Sequence, residues 1–385
     1  MRLLPSSVAK SVVIAPIALW ITGCSCGGEN EVVPIEEEEE VVLNDIGAWM
    51  GMDVMPDGSP ALSYYDRDKG GLGFAIGTIG ADGVEWDVEE VDGFPDSEGL
   101  NPGNRGTHTD LAITSTGEAW VSYRDEGNGA LRYAHRDAAG VWTTGVADAG
   151  SGANPDAGAW TSIALDSSEN PVIAHHDIGA GSLRIAHWNG SAFTAESVDK
   201  GEDGIDAEGL AIPAKVGEYA KLLISNGVEQ IAYYDSANGD LKLATGTAGA
   251  YSIEVVASEG DVGAWPDLAL DGSSLIISFQ DVGEEDLLLA ERDAEGWLTE
   301  VVDDGANRGA DSAIAMEGGV PEIYSFDAYN NDLLLSTPTP DGWETTTVAG
   351  DDAAVGFHIE TASSTQGRFV ASYDYTNRAI WFMSK

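Results

Sequence analysis

Cations, cysteines and long apolar runs are scarce in this chain. Its 385 residues carry 18 Lys and Arg against 66 Asp and Glu, a formal charge of −48. Binding nucleic acid needs a basic surface that displaces counterions, so that class of partner is excluded. Two cysteines, Cys24 and Cys26, are too few for the disulfide framework of a small secreted module. The apolar run from Val12 to Ile21 is about half the ~20 residues that a spanning helix requires. Helical 3.6-residue spacing is missing from the rest of the chain, which argues against TPR or HEAT repeats. What is present points the other way. Glycine numbers 48, about 12% against a usual ~7%, so the chain is dense in turns. Eleven Trp, 12 Tyr and 8 Phe supply a packed core that acidic disordered chains do not have.

The first residues read as an address. Arg2 and Lys10 precede the short apolar run, as in the n-region and h-region of a secretory signal. The run ends Ile21-Thr22-Gly23-Cys24, which resembles the lipobox of bacterial lipoproteins. That resemblance implies cleavage before Cys24 and lipid on its sulfur and amine, several acyl chains making the anchor stable. The bilayer is then a partner through the Cys24 lipid alone. Ser25 stands where an Asp would favour inner-membrane retention, so the expected address is the cell envelope, with the outer membrane favoured. The domains expected are a lipoprotein signal over 1–23, an acidic tether over 24–36 and one folded unit over 37–385. Glu36 to Glu40 reads as a solvated spacer that runs into an edge strand.

The folded unit is repetitive. An Asp followed six residues later by Leu or Ile occurs at Asp66, Asp125, Asp177, Asp235, Asp281, Asp327 and Asp374. A Gly lies 18 or 19 residues before each: Gly47, Gly106, Gly158, Gly217, Gly263, Gly309 and Gly356. Two offsets kept through seven copies define seven units. Each unit alternates four short apolar runs with Gly, Asp and Asn turns, as in Leu268–Leu270, Leu275–Phe279, Leu287–Ala290 and Trp297–Val302. Four strands per unit of about 45 residues is the blade of a β-propeller. The sequence therefore predicts an all-β, seven-bladed β-propeller with four antiparallel strands per blade. The last unit has room for three strands, and Glu37 to Asn44 is expected to supply the fourth and close the ring, because an open ring would leave exposed edges.

Ser63-Tyr64-Tyr65-Asp66, Ala232-Tyr233-Tyr234-Asp235 and Leu241-Lys242-Leu243-Ala244 resemble a propeller repeat of secreted bacterial and archaeal proteins. The resemblance covers 41–385 and implies architecture without a settled activity; lectins and sialidases share the broad type.

Strand direction puts each Asp and each Gly-x-aromatic on one face, the top. Two residues after the glycines stand Trp49, His108, Trp160, Tyr219, Trp265, Asp311 and His358. A strand-end Asp accepts backbone N–H groups across a turn, so the sevenfold Asp reads first as scaffold. Three loops on one side are enlarged: Trp86 to Gly106 spans 20 residues, Trp142 to Gly158 spans 16 and Phe193 to Gly217 spans 24, against 12 or 13 later. Long loops on a rigid scaffold are where binding concentrates. Arg67, Arg105 and Arg124 map beside the first of them and suit either an anionic ligand or neutralisation of neighbouring Asp. The expected ligand-binding set is Trp49, Arg67, Arg105, His108, Arg124, Trp160 and Tyr219, with lipidation at Cys24 and no catalytic residue assigned. The reading is a membrane-anchored binding protein for a glycan or an envelope protein. The alternative is a hydrolase or lyase with His108, His176 or His358 as base and Asp311 as acid partner. A third option is a structural envelope subunit. No cofactor is expected; a metal could sit at His108, His176 and His358 or on the ring of strand-end Asp, and calcium at Asp199, Asp203, Asp206 and Glu208, although Gly201 and Leu210 break the EF-hand register there.

Overall fold

In the computed structural model, residues 4–5, 45–80, 83–205, 209–292, 294–350 and 352–385 are described. They contain strands and turns and no helix. The described residues form seven four-stranded sheets, six of them continuous at 46–92, 105–148, 157–199, 216–257, 262–303 and 310–349, and the seventh built from 355–384 with residues 4–5; these are blades 1 to 7. Blade 5 shows the pattern: Val262–Asp271, Ser274–Asp281, Asp286–Arg292 and Trp297–Asp303, each antiparallel to the next. First strands of successive blades pack on one another around an axis, and that of blade 7 packs on that of blade 1. The fold is a seven-bladed β-propeller.

The second strands explain why the repeat is so apolar. Pro60–Asp66 and Pro171–Asp177 are buried at every residue, because each lies between two neighbouring blades. Fourth strands such as Gly83–Asp92 face solvent and carry the charge. Seven apolar clusters result, one at each seam between blades, rather than a single central core. Ile46, Met50 and Leu62 of blade 1 meet Phe369, Tyr373 and Phe382 of blade 7 in one of them, which seals the ring. Ile46 N also donates to Arg378 O at 3.2 Å, and Tyr373 Oη donates to Asp45 at 2.6 Å.

A strand from the N-terminal part of the chain lies at the outer edge of blade 7. Beside its third strand, Ala379–Ser384, lies the two-residue strand Leu4–Pro5, running parallel, with Leu4 opposite Trp381. The segment expected there, Glu37 to Asn44, lies outside the described residues, as do Cys24 and the acidic tether.

Candidate functional site

Every first strand bulges at the same place. The pairing register to the second strand shifts around Trp49 and at the matching point of each other blade. The residue at the bulge takes a left-handed backbone: φ is 48° at Trp49, 52° at His108, 46° at Trp160, 54° at Tyr219, 47° at Trp265, 48° at Asp311 and 51° at His358. For an L-residue that conformation costs roughly 1–2 kcal/mol, and a bulge re-aims the side chain it carries. Here it aims seven side chains at the axis. Hydroxyls from the next blade, one residue past its own ring position, brace the twisted peptide: Thr161 Oγ1 donates to His108 O at 2.7 Å and Ser312 Oγ to Trp265 O at 3.0 Å.

The seven side chains form a ring around a cavity of about 130 Å³. Neighbouring ring centroids lie 5.4 Å apart from His358 to Trp49, then 5.1 Å to His108, 5.3 Å to Trp160, 5.0 Å to Tyr219 and 4.6 Å to Trp265. Asp311 completes the circle. Two residues further along each strand, the alternation of a strand brings the next side chains to the axis. That layer reads Gly51, Asp110, Ser162, Lys221, Asp267, Ala313 and Glu360. Lys221 Nζ lies 3.2 Å from Glu360 Oε1, and both line the cavity. Asp110 and Asp267 turn instead to the next blade and accept N–H of Ile163 at 2.9 Å and Ile314 at 2.7 Å.

Burial sets the charge of this site. It pushes the His108 imidazole down to about 3, helped by Arg124, His358 and His176, and it lowers His358 and His176 too. The ring is therefore uncharged at its histidines. Asp311 is raised by burial against the opposing pull of His358. Glu360 is pushed up to about 8 by burial, with Lys221 pulling the other way. Burial works against the Lys221 ammonium, but Glu360, Asp267 and Asp110 outweigh it and hold Lys221 above the ordinary lysine value. Nδ1 of His108 and Nε2 of His176 are buried without a hydrogen-bond partner.

Trp49, His108, Trp160 and Tyr219 of the expected set are thus brought together. The arginines are not all beside them. Arg105 lies between Asp92, at 3.0 Å, and Asp125, at 2.9 Å, and Arg308 occupies the matching place between Asp303 and Asp327. Arg124 Nη2 pairs with Asp156 at 2.7 Å. Arg67 is exposed, 4.0 Å from Asp45, with its guanidinium 5.8 Å from the Trp49 ring centre. Each of the seven strand-end Asp residues accepts a backbone N–H in its turn, for example Lys69 N to Asp66 and Asn377 N to Asp374.

The enlarged loops cross the seams between blades 1 and 2, 2 and 3, and 3 and 4. Ser151 donates to Asp177 across one of them, and Gly204–Ile205 pairs with Ala211–Ile212 as a small hairpin over another. In that last loop Asp199 accepts from Gly201 N and Tyr233 Oη, and Asp203 from Ala214 N. Asp206 and Glu208 lie outside the described residues. Among the described residues no three His, Cys, Asp or Glu side chains converge to hold a metal.

No family model matches the chain, and no curated protein matches it in sequence. Solved structures do resemble it. A dihydro-heme d1 dehydrogenase is 13% identical over 88% of this chain and 67% of its own, with a TM-score of 0.52. The fucose-specific lectin of Aleuria aurantia is 15% identical over 79% of this chain and 95% of its own, at 0.47. A leech intramolecular trans-sialidase is 11% identical over 94% of this chain and 70% of its own, at 0.46. The likeness is one of fold.

The second axial layer escaped the sequence reading, as did the pairing of Lys221 with Glu360. The signal was there: Lys221 and Glu360 stand two residues after Tyr219 and His358, at one offset in the repeat.

Proposed function

We propose that the protein is a binding propeller that seats one terminal residue of a glycan over the mouth of the axial cavity, held at the cell envelope by lipid on Cys24. The observation that carries this reading is the ring itself. Trp49, Trp160, Tyr219 and Trp265 present aromatic surface at one strained position, above a donor and an acceptor, Lys221 and Glu360. Sugars have apolar C–H faces that stack on aromatic rings and hydroxyls that need such paired polar groups. Size decides how much enters. A cavity of about 150 Å³ admits a single benzene-sized ring, so the 130 Å³ here receives one face or edge of a terminal sugar and not a chain. Arg67 stands beside Trp49 at the rim, placed to meet a carboxylate on that sugar. Arg105 and Arg124 act through the loops and turns they brace.

The test is a glycan array probed with the full chain, with and without calcium. Saturable binding that Trp160→Ala removes, with the circular dichroism spectrum kept, supports the reading. A blank array from folded protein moves the weight to a protein partner or a structural envelope role.

One observation favours the enzymatic alternative. Glu360, pushed up to about 8, is a protonated acid at neutral pH in the cavity that also holds Asp311 and His358. A glycan hydrolase or lyase using it would show turnover that Glu360→Gln abolishes while glycan binding persists.

A further inference from the structure

Four seams between blades share one device. The carboxylate that ends a fourth strand faces the carboxylate that ends the second strand of the next blade, and a cation sits between them. Arg105 joins Asp92 to Asp125, at 3.0 and 2.9 Å. Arg184 joins Asp148 to Asp177, at 2.6 and 3.7 Å. Lys242 joins Asp199 to Asp235, at 3.9 and 2.5 Å. Arg308 joins Asp303 to Asp327. A polar ring from the second strand adds to three of them: Tyr123 Oη donates to Asp92, Tyr233 Oη to Asp199, and His175 Nε2 lies 3.2 Å from Asp148.

The seam between blades 4 and 5 has lost this device at every position but one. Ala257 stands where Asp92, Asp148, Asp199 and Asp303 end their strands. Leu288 stands in the place of Arg132, Arg184 and Lys242, and Val262 in that of Arg105 and Arg308. Phe279 replaces Tyr123, His175 and Tyr233. Asp281 alone is kept. Its Oδ1 accepts Gly283 N and Glu284 N, and among the described residues no ion pair reaches it.

A cleft of about 710 Å³ opens at this seam, with walls that include Val256, Val262, Leu288 and Trp297 and with Glu259, Asp281 and Glu284 around it. Pockets of roughly 300–1,000 Å³ hold small organic ligands. No enlarged loop crosses this seam; Tyr251 to Gly263 spans 12 residues. The indole N–H of Trp297 is buried without an acceptor. At the matching place Trp142 donates to Glu89 and Trp343 to Glu300, each three residues past the preceding blade's aromatic. The counterpart for Trp297 is Glu254, and Arg292 occupies it at 2.6 and 3.2 Å. Arg292 also lies over the Trp297 ring, 5.3 Å from its centre, while the end of the cleft at Asp281 is acidic: burial together with Asp281, Asp304 and Glu284 raises the carboxyl of Asp286 just beyond.

We propose that the cleft between blades 4 and 5 is a second binding site, for a ligand that carries a primary ammonium group on a compact apolar or ring-shaped body. The ammonium takes the place beside Asp281 that a protein cation fills at the four bridged seams. The body lies against Leu288, Val262 and Trp297. Glu259 and Glu284 draw cations in and repel anions. The site is separate from the axial cavity and stands independently of the glycan proposal. An amino sugar and a lysine side chain of a partner both meet these requirements.

Titration calorimetry of the full chain separates the outcomes. The probes are glucosamine and Nα-acetyl-lysine methylamide, each against a neutral counterpart, N-acetylglucosamine and Nα-acetyl-norleucine methylamide. The expected result is saturable binding of at least one ammonium probe, at least tenfold tighter than its counterpart and weakened by salt. Glucosamine as the better probe identifies an amino sugar; the lysine probe identifies a protein partner. Leu288→Arg restores the cation that blades 2 and 3 carry there and should weaken the ammonium probe at least tenfold. Asp281→Asn keeps the turn acceptor, removes the charge and should do the same, so the test stands if either variant folds poorly. Leu288→Arg should leave any glycan binding on the array unchanged. Equal binding of the neutral probes, no saturable binding to folded protein, or binding that survives both substitutions overturns the proposal.

Discussion

Lys221 Nζ sits 3.2 Å from Glu360 Oε1, tying blade 4 to blade 7 across the axis of the propeller. In a ring of seven, blades three apart are as distant as blades can be. The pair therefore spans the ring where seams between neighbours cannot.

Removing the ammonium should loosen the ring. Lys221→Met leaves Glu360, Asp267 and Asp110 facing one another without a cation. Breaking a buried pair costs roughly 3–5 kcal/mol. Lys221 keeps 31% of its side chain exposed to the cavity, and solvent screening there reduces the expected loss to about 2 kcal/mol. Urea unfolding at pH 9, above the raised Glu360 value and with Lys221 still charged, measures it.

The axial carboxyl also predicts a pH dependence. Glu360 is raised from 4.5 to about 8, so the folded chain holds this proton more tightly than the unfolded chain does. Its contribution is complete below pH 4.5 and is lost as pH rises to about 8. His108, lowered from 6.5 to about 3, works in the opposite sense: its share is present above pH 6.5 and is lost as pH falls below that value. Unfolding midpoints at pH 6.5 and 8.5 should differ in the wild type, with the lower pH more stable. Glu360→Gln should shrink that difference.

The arginines should separate by role. Arg105 is 19% exposed and bridges Asp92 and the nearly inaccessible Asp125, so Arg105→Ala should cost about 2–4 kcal/mol by leaving buried charge unmatched. Arg67 is 37% exposed and 4.0 Å from Asp45. Arg67→Ala should change stability by no more than about 0.5 kcal/mol, while weakening any acidic sugar found on the array. Thermal unfolding of the two variants side by side makes the comparison.

Strain at the ring gives a prediction with an inverted sign. Within strands glycine is less stable than alanine by roughly 0.5–1 kcal/mol. At Trp160, φ is 46°, where alanine pays a steric cost that glycine does not. Trp160→Gly should therefore be more stable than Trp160→Ala, by about 1 kcal/mol in urea unfolding, although both lose the same aromatic surface. The usual order would show that the bulge relaxes when the indole is gone.

Blade number and strand order were legible because a blade is a local object. Its ladders join residues a few positions apart, so Gly217, Asp235 and Leu241 report their unit without reference to any other. The bulge was legible only as a position. Trp49, His108 and Trp160 were singled out for standing two residues after a glycine, while the left-handed backbone that turns them inward left no mark in residue type, since Trp, His, Tyr and Asp all occupy it. Arg105 and Arg124 kept two readings in the sequence, and geometry shows each against a carboxylate. The unbridged seam at Asp281 was visible as Ala257, Val262, Phe279 and Leu288 only after the bridged seams showed what those positions do elsewhere.

The sequence by itself determined the repeat, its seven copies, the strand-end Asp turns and the face that carries the ring. These follow from alternation and turn chemistry within some 45 residues. Tertiary structure decided everything that depends on closing the circle: that Lys221 meets Glu360 from 139 residues away, that blade 1 seals against blade 7, and that a cleft lies at the seam beside Asp281 while four other seams are bridged by a cation. The physical reason is common to all three. A strand pattern fixes which way a side chain points, but only the closed ring fixes what stands opposite it.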